Sequence, residues 1–218
     1  MPTDPRPAVQ PYHHGSLRAA LLDAAEAILE RDGFQALTLR AAARAAGVSH
    51  AAPAHHFGDL AGLLSDLAAT GYVRFHAAVL AEMAAAGPAP ADRLHAMGLG
   101  YVRFARAHPN LFLLMFRGER LDPQRPALRE AMEAAYGALA EAASASADAA
   151  AAAAPRGATA TAASSGRLAD ITAAWAIAHG LALLVIDGRL RPLTDDAGVD
   201  ALVSAALSRL SLQRSGAA

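Results

Sequence analysis

An all-α fold is predicted, and three features predict it. Apolar residues recur at i, i+3 and i+4 in one stretch after another. Glycine and proline signals separate those stretches, Gly87-Pro88-Ala89-Pro90 and His108-Pro109 being the clearest. Residues 37–57, LTLRAAARAAGVSHAAPAHHF, read as two short helices joined by a tight turn. A chain of 218 residues is long enough to bury a substantial core.

Residues 37–57 organise the rest. Thr38 stands before the first helical run as an N-cap, its hydroxyl placed to accept a bond from a free backbone N–H of the first turn. Leu39, Ala42, Ala43 and Ala46 give that helix one small apolar face. Gly47 takes the position past the helix end, where a positive φ costs a residue without Cβ least. Val48 points back to the core. Ser49 is expected to cap a second helix, His50 to Phe57, in which Pro53 near the first turn costs little. Phe57 belongs to the core. Two short helices about a glycine turn form a helix-turn-helix, whose second helix can enter a major groove; an ordinary αα-corner in a helical bundle has the same pattern.

The flanks sharpen this reading. Upstream stands YHHGSLRAALLDAAEAILERDGFQAL, downstream FGDLAGLL. The order of a Gly-aromatic pair (Gly33-Phe34), a Thr-capped helix, an A-G-V-S turn (Ala46 to Ser49) and a helix ending in His56-Phe57 resembles the TetR family of transcriptional regulators. The arm from Tyr12 to Arg18 and the later Trp175-Ala-Ile-Ala-His179-Gly180 look like a subgroup of that family with a Trp-x-x-x-His-Gly motif in its regulatory domain. The resemblance implies a disordered arm (1–15), a helix-turn-helix DNA-binding domain (16–64) and a ligand-binding and dimerisation domain (65–218). It also implies a homodimeric, ligand-responsive repressor of double-stranded operator DNA.

By the same resemblance, His50, Ala51, Ala52 and His55 face base edges. Small side chains read thymine methyls and His bonds a guanine edge, each contact discriminating by roughly 1–3 kcal/mol. Thr38, Arg40, Arg44, Ser49 and His56 are placed on phosphates, which set register. Two departures stand out: Ala54 where the family usually has Tyr, and Leu60 where it commonly has Lys. Their loss implies a weaker or more salt-tolerant complex, since each phosphate neutralised adds about 0.9 to the salt slope.

Bulk charge gives no support to nucleic-acid binding: the net charge is −1. All 19 basic residues are arginine. Within the first 64 residues, Arg6, Arg18, Arg31, Arg40 and Arg44 face a larger set of acids: Asp4, Asp23, Glu26, Glu30, Asp32 and Asp59. Placement matters more than the total. Arg40 and Arg44 are one helical turn apart, whereas four acids lie on the first helix, so one surface can be basic while the domain is neutral.

Cysteine is absent, which excludes disulfides and thiolate chemistry. No run reaches the roughly 18 uninterrupted apolar residues of a membrane span, and the N-terminus has no signal-peptide core. A cytoplasmic protein without membrane partner is expected. Adjacent residues on a helix point about 100° apart, so His55 and His56 cannot chelate one ion together. No metal or cofactor is expected. No nucleophile with a base at workable spacing and no phosphate-binding glycine loop argues for an enzyme.

Along the chain, residues 1–11 are proline-rich; Arg6, His13 and His14 either follow DNA or belong to a solvated tail. The first helix runs from Ser16 to Arg31, its buried stripe Leu17, Leu21, Ala24 and Ile28. Leu60 to Ala85 forms a helix linking head to body. Ala91 to Ala107 carries Leu94, Met97, Tyr101 and Phe104 on one face, and residues 110–117 form a short apolar helix buried all round. A polar loop, Gly118 to Pro126, leads to a helix from Ala127 to Ala145. Low-complexity residues 153–165 are expected to form a mobile loop. Helices at about 167–187 and 195–212 are apolar over so much of their girth that they look like half of an intermolecular four-helix bundle, as the resemblance implies; a closed monomeric bundle is the alternative.

Family resemblance implies an effector pocket in this helical body. Tyr101, Phe104, Phe112, Met115 and Trp175 are its expected lining, with His179 as a polar group; plain core packing accounts for the same residues. Such a pocket suits a small, mainly apolar effector of unknown identity. An alternative function is an all-helical dimeric interaction protein with weakened or lost DNA binding.

Overall fold

The computed structural model describes residues 14–116, 118–153 and 160–215. The expected arm (1–15) lies largely outside them, except that His14 and Gly15 already belong to a helix. Among the described residues the regular structure is helical throughout, with nine α-helices and two short 3-10 turns.

Helix α1 (His14–Asp32) leads through Gly33, at φ +78°, into a 3-10 turn at Phe34–Ala36. Its buried line is Leu21, Leu22, Ala25, Ile28 and Leu29; Ala24 is only half-buried, so the stripe is rotated from the expected one. Helix α2 (Leu39–Ala45) is capped as its sequence requires. The Thr38 hydroxyl accepts from Ala41 N at 3.0 Å, and φ at Gly47 is +67°. The amide of Val48 then bonds the Ala43 carbonyl at 3.0 Å, closing the helix end. Thr38→Ala is expected to cost about 1 kcal/mol. For a chain of this size that is a fall of about 2–4 °C in Tm, which a thermal melt would show.

Helix α3 (Ala52–Phe57) starts two residues later than expected. His50 and Ala51 form a turn instead, closed by the Ala52 amide on the Ser49 carbonyl at 3.1 Å. The N-cap position falls on Ala51, with no side-chain cap, so Ser49 is not the cap. Pro53 explains the shift. A proline is favoured in the first turn, where its missing N–H has no partner to lose, and here it occupies that turn.

Helix α4 (Leu60–Ala85) is the strut of the molecule. Asp59 caps it, accepting from Gly62 N at 2.8 Å. Its first half packs on α1, α3 and α6 (Pro109–Met115), and its second half on α5 (Pro90–Ala107) and α7 (Pro126–Ala153). One apolar core follows it from Leu63 through Tyr72 and Phe75 to Met83.

Helix α6 is buried less completely than expected: Leu113 and Phe116 remain half-exposed beside the buried Leu111, Phe112, Leu114 and Met115. The loop expected at 153–165 shrinks from both sides. Helix α7 runs on to Ala153 and α8 (Ala160–Ile186) begins at Ala160; residues 154–159 lie outside the described residues. The stretch is alanine-rich, and alanine is the strongest helix former, so low complexity there does not mean loop. Helix α9 (Val199–Ser215) begins four residues after Asp195, whose carboxylate instead accepts from Gly198 N at 2.9 Å in a turn.

Residues Gly166 to Ile186 of α8 are long and apolar enough to cross a membrane by length and composition, although broken by Asp170 and His179. Only 11% of that window is buried within this chain, and Leu168 and Leu184 are exposed. The sequence criterion of an uninterrupted apolar run does not register such a stretch.

Candidate functional site

Helices α1, α2 and α3 pack on one another through Ala42, Ala43, Pro53 and Phe57, which are buried. The side turned from this small core carries the residues singled out from the sequence. Thr38, Arg40, Arg44, Ser49, His50, Ala51 and His55 are exposed, and Ala52 and His56 half-buried. Ala54 is exposed as well, and Leu60 is partly buried against the core. The His55 and His56 rings lie 5.6 Å apart between centroids. Among the described residues, no three His, Asp or Glu side chains gather as a metal group would require.

Tertiary contacts settle the charge of this surface. Glu26 of α1 accepts two bonds from Arg74 of α4, at 2.6 and 2.7 Å. Glu30 turns to the start of α6, where it accepts from the amides of Asn110 and Leu111 at 3.2 and 2.9 Å. Asp32 pairs with Arg31, and Asp59 caps α4. Most acids of the head are thus engaged away from the turn. Arg40 and Arg44 form no ion pair among the described residues. Two free guanidiniums one turn apart, beside exposed histidines, make a positive surface on a neutral domain.

The second cluster lies in the body, around Tyr101. Its hydroxyl is 2.9 Å from His179 Nδ1 and accepts from Trp175 Nε1 at 3.4 Å. The indole can only donate, so the Tyr101 hydrogen remains available to His179, and a neutral imidazole with its proton on Nε2 would accept it at Nδ1. Burial lowers the His179 pKa from its ordinary value and raises that of Tyr101, keeping both neutral. Phe75 meets Tyr101 edge-on at 4.9 Å, and Phe116 meets His179 at 4.7 Å.

A cavity of about 20 Å³ opens here, room for about one water molecule. Tyr101 lines it together with Tyr72, Phe75, Met97, Phe116 and Tyr136. Trp175 and His179 adjoin it through Tyr101, while Phe104, Phe112 and Met115 pack as core beside it. Sequence reasoning missed Tyr72 and Phe75, having treated α4 as a linker, and missed Tyr136 and Phe116. The signal was present: Tyr72 and Phe75 continue the apolar line of α4, and Tyr136 that of α7. A wider hollow, about 310 Å³, lies where α8 turns towards α9; Arg106, Asp187, Arg191 and Asp196 make its lining polar.

Fold and site together define a helix-turn-helix regulator with a helical sensing body. Residues 21–67 match the model of bacterial regulatory proteins of the tetR family, and residues 94–210 that of the tetracyclin repressor-like C-terminal domain. The chain therefore belongs to the TetR family of transcriptional regulators, in which ligand responsiveness is typical. Regulators of this family are soluble, cytoplasmic and DNA-binding.

A protein of unknown function from Rhodococcus sp. RHA1 is 37% identical, with a TM-score of 0.74; the match covers 94% of this chain and 98% of that one. A putative transcriptional regulator from Pseudomonas aeruginosa PAO1 shares the fold at 19% identity and a TM-score of 0.63, covering 92% and 93% of the two chains. A fatty acid degradation regulator from Bacillus halodurans does so at 17% and 0.62, covering 92% and 97%. Comparison with the curated proteins gives no match.

Proposed function

We propose that this protein is an operator-binding repressor that acts as a homodimer and releases DNA when a small, mainly apolar effector enters its body. The unpaired arginines Arg40 and Arg44 carry this reading. They stand on the exposed face of the turn while neighbouring acids are occupied elsewhere. In this reading Thr38, Arg40, Arg44, Ser49 and His56 hold phosphates, and His50, Ala51, Ala52 and His55 meet base edges. His50 and Ala51 do so from the turn ahead of α3. The DNA-binding domain is 16–64, and the body 65–218.

The test is selection of bound duplexes from a random pool by the purified protein. A two-fold symmetric site is expected, because one short helix reads too few bases. No enrichment, and no binding in dilute buffer, would leave the dimeric interaction protein as the better reading. The exposed Ala54, with no group to reach a phosphate, and the partly buried Leu60 are what favour that alternative. On the selected site, Arg40→Ala and Arg44→Ala are each expected to lower the slope of log affinity against log salt by about 0.9 for every phosphate left without its arginine. An unchanged slope would place those arginines outside the interface.

The dimer is proposed to form through α8 and α9, the segments 167–187 and 195–212. On α8, Ala169, Ala173, Ala176 and Leu184 are exposed at helical spacing, and a Cβ on Gly180 between them would meet open space within this chain. On α9, Ala201 and Ala205 are exposed in the same way. Small side chains let two helices approach closely, and the apolar face they form lacks a cover within one chain.

The Trp-x-x-x-His-Gly motif then has a physical meaning. Trp175 and His179 hold Tyr101 at the cavity, while Gly180 turns to the partner. The effector would enlarge the cavity beside Tyr101 and stabilise a body conformation in which the recognition helices are misplaced.

A further inference from the structure

Resting on the reading just given, we propose that Arg125, in the link between α6 and α7, is a positioning residue for the recognition helix α3. Its guanidinium donates to the Phe57 carbonyl from Nη1 and Nη2, at 3.3 and 3.0 Å, and from Nε to Asp66 Oδ1 at 3.3 Å. The carbonyls of a helix's last turn have no intrahelical partner, and Phe57 closes α3. A residue of the body thus supplies the missing donor at the end of the reading helix, 68 residues away in sequence.

The grip is directional. Asp66 on α4 is buried, and its second carboxylate oxygen takes Arg18 of α1 at 2.9 Å, so the carboxylate cannot follow Arg125 freely. On the other side of the carbonyl there is no slack. A Cβ added at Gly62 would lie 2.0 Å from the Phe57 oxygen, so the carbonyl sits in a slot between the α4 backbone and the guanidinium. The link itself is tied down where it passes α4, its Asp122 amide donating to the buried Ser65 hydroxyl at 2.7 Å. Further back, Arg120 lies over the Phe34 ring, 4.4 Å from its centroid, ahead of α2. The link therefore touches the head on both sides of the helix-turn-helix.

Its other end belongs to the cavity. Phe116, the first residue of the link, lines the cavity, and the Met115 carbonyl accepts from the Tyr72 hydroxyl at 2.9 Å. Tyr136, on the helix that follows Arg125, lines it too. Movement of these walls reaches Arg125 through either flank, and Arg125 hands it to α3 without passing along α4. Arg125 spends its guanidinium on the Phe57 carbonyl and Asp66, and so sets where α3 stands relative to the body.

The test uses the full chain, the duplex selected by the wild-type protein, and the variants Arg125→Ala and Arg125→Lys. Arg125→Ala is expected to weaken duplex binding at least tenfold with an unchanged salt slope, since every phosphate keeps its partner. Arg125→Lys retains a charge for Asp66 but has a point charge in place of the planar fork that serves carboxylate and carbonyl together. It is expected to recover Tm and not duplex affinity. If lysine restores both, Arg125 only neutralises Asp66 and the proposal falls; it falls equally if alanine lowers Tm and leaves affinity intact. Should Arg125→Ala not fold, Arg125→Lys decides alone. Hydrogen exchange on the free protein separates this proposal from the DNA-binding reading. Amides of residues 54–58 are expected to exchange at least tenfold faster in Arg125→Lys, with those in the middle of α4 unchanged. Unaltered exchange at 54–58 overturns the proposal even if no duplex is ever bound.

Discussion

Phe112→Ala is expected to destabilise the protein by about 3–5 kcal/mol, the range for removing a fully buried aromatic ring. Phe112 is 0% exposed, and its ring stands 5.6 Å from that of Tyr101, 4.8 Å from Phe116 and 5.5 Å from His179. Four aromatic rings in mutual contact close the hole poorly, because planar side chains on different helices cannot all turn into it. The cost is lost transfer energy plus the residual cavity. In a chain of this length the Tm falls by roughly 6–20 °C. A melt that moves by under about 3 °C would mean that the cluster is loosely packed and that Tyr101 and His179 are not held as described. The enlarged hole adjoins the cavity, so the variant is also expected to gain stability from a small apolar additive that the wild-type protein ignores.

Ala176→Glu is expected to raise the dimer dissociation constant at least 100-fold. Ala176 is exposed in one chain and lies midway along the stripe from Ala169 to Leu184. If that stripe covers itself in a dimer, each substitution carries a carboxylate into an apolar contact, and a buried charge without partner is costly. A 100-fold change corresponds to about 2.7 kcal/mol, modest for two such charges. Sedimentation velocity would show a shift from dimer to single chain. Duplex affinity would fall with it, because the two half-sites would no longer be bound together. Ala134→Glu, an exposed alanine on α7, serves as the control and is expected to change neither. A dimer that survives Ala176→Glu moves the interface off this face.

Local signals were legible wherever one residue decides one backbone position. Thr38 caps α2 through its own hydroxyl, and Gly47 takes the positive φ that ends it. Asp59, counted from the sequence only as an acid, does the same for α4, and Pro90 and Pro109, read as breaks, stand in the first turns of α5 and α6. Legibility failed where two local preferences compete. Ser49 is a good cap and Pro53 a good first-turn residue, and the helix follows the proline. In the alanine tracts around residue 150, low complexity suggests a loop while alanine itself favours the helix that forms.

The amino-acid sequence by itself determined the helical elements, the turn between α2 and α3, and the spacing that sets Arg40 and Arg44 one turn apart. These depend on hydrogen bonds and stripes within a few residues. What only the tertiary structure decided are contacts between distant segments. Glu26 meets Arg74 across 48 positions, Tyr101 meets His179 across 78, and Arg125 reaches Phe57 across 68. Periodicity cannot show them, because many side chains on an exposed or half-buried face could serve as partner, and packing around α4 selects one. That selection leaves Arg40 and Arg44 without an ion pair among the described residues and ties the end of α3 to the body.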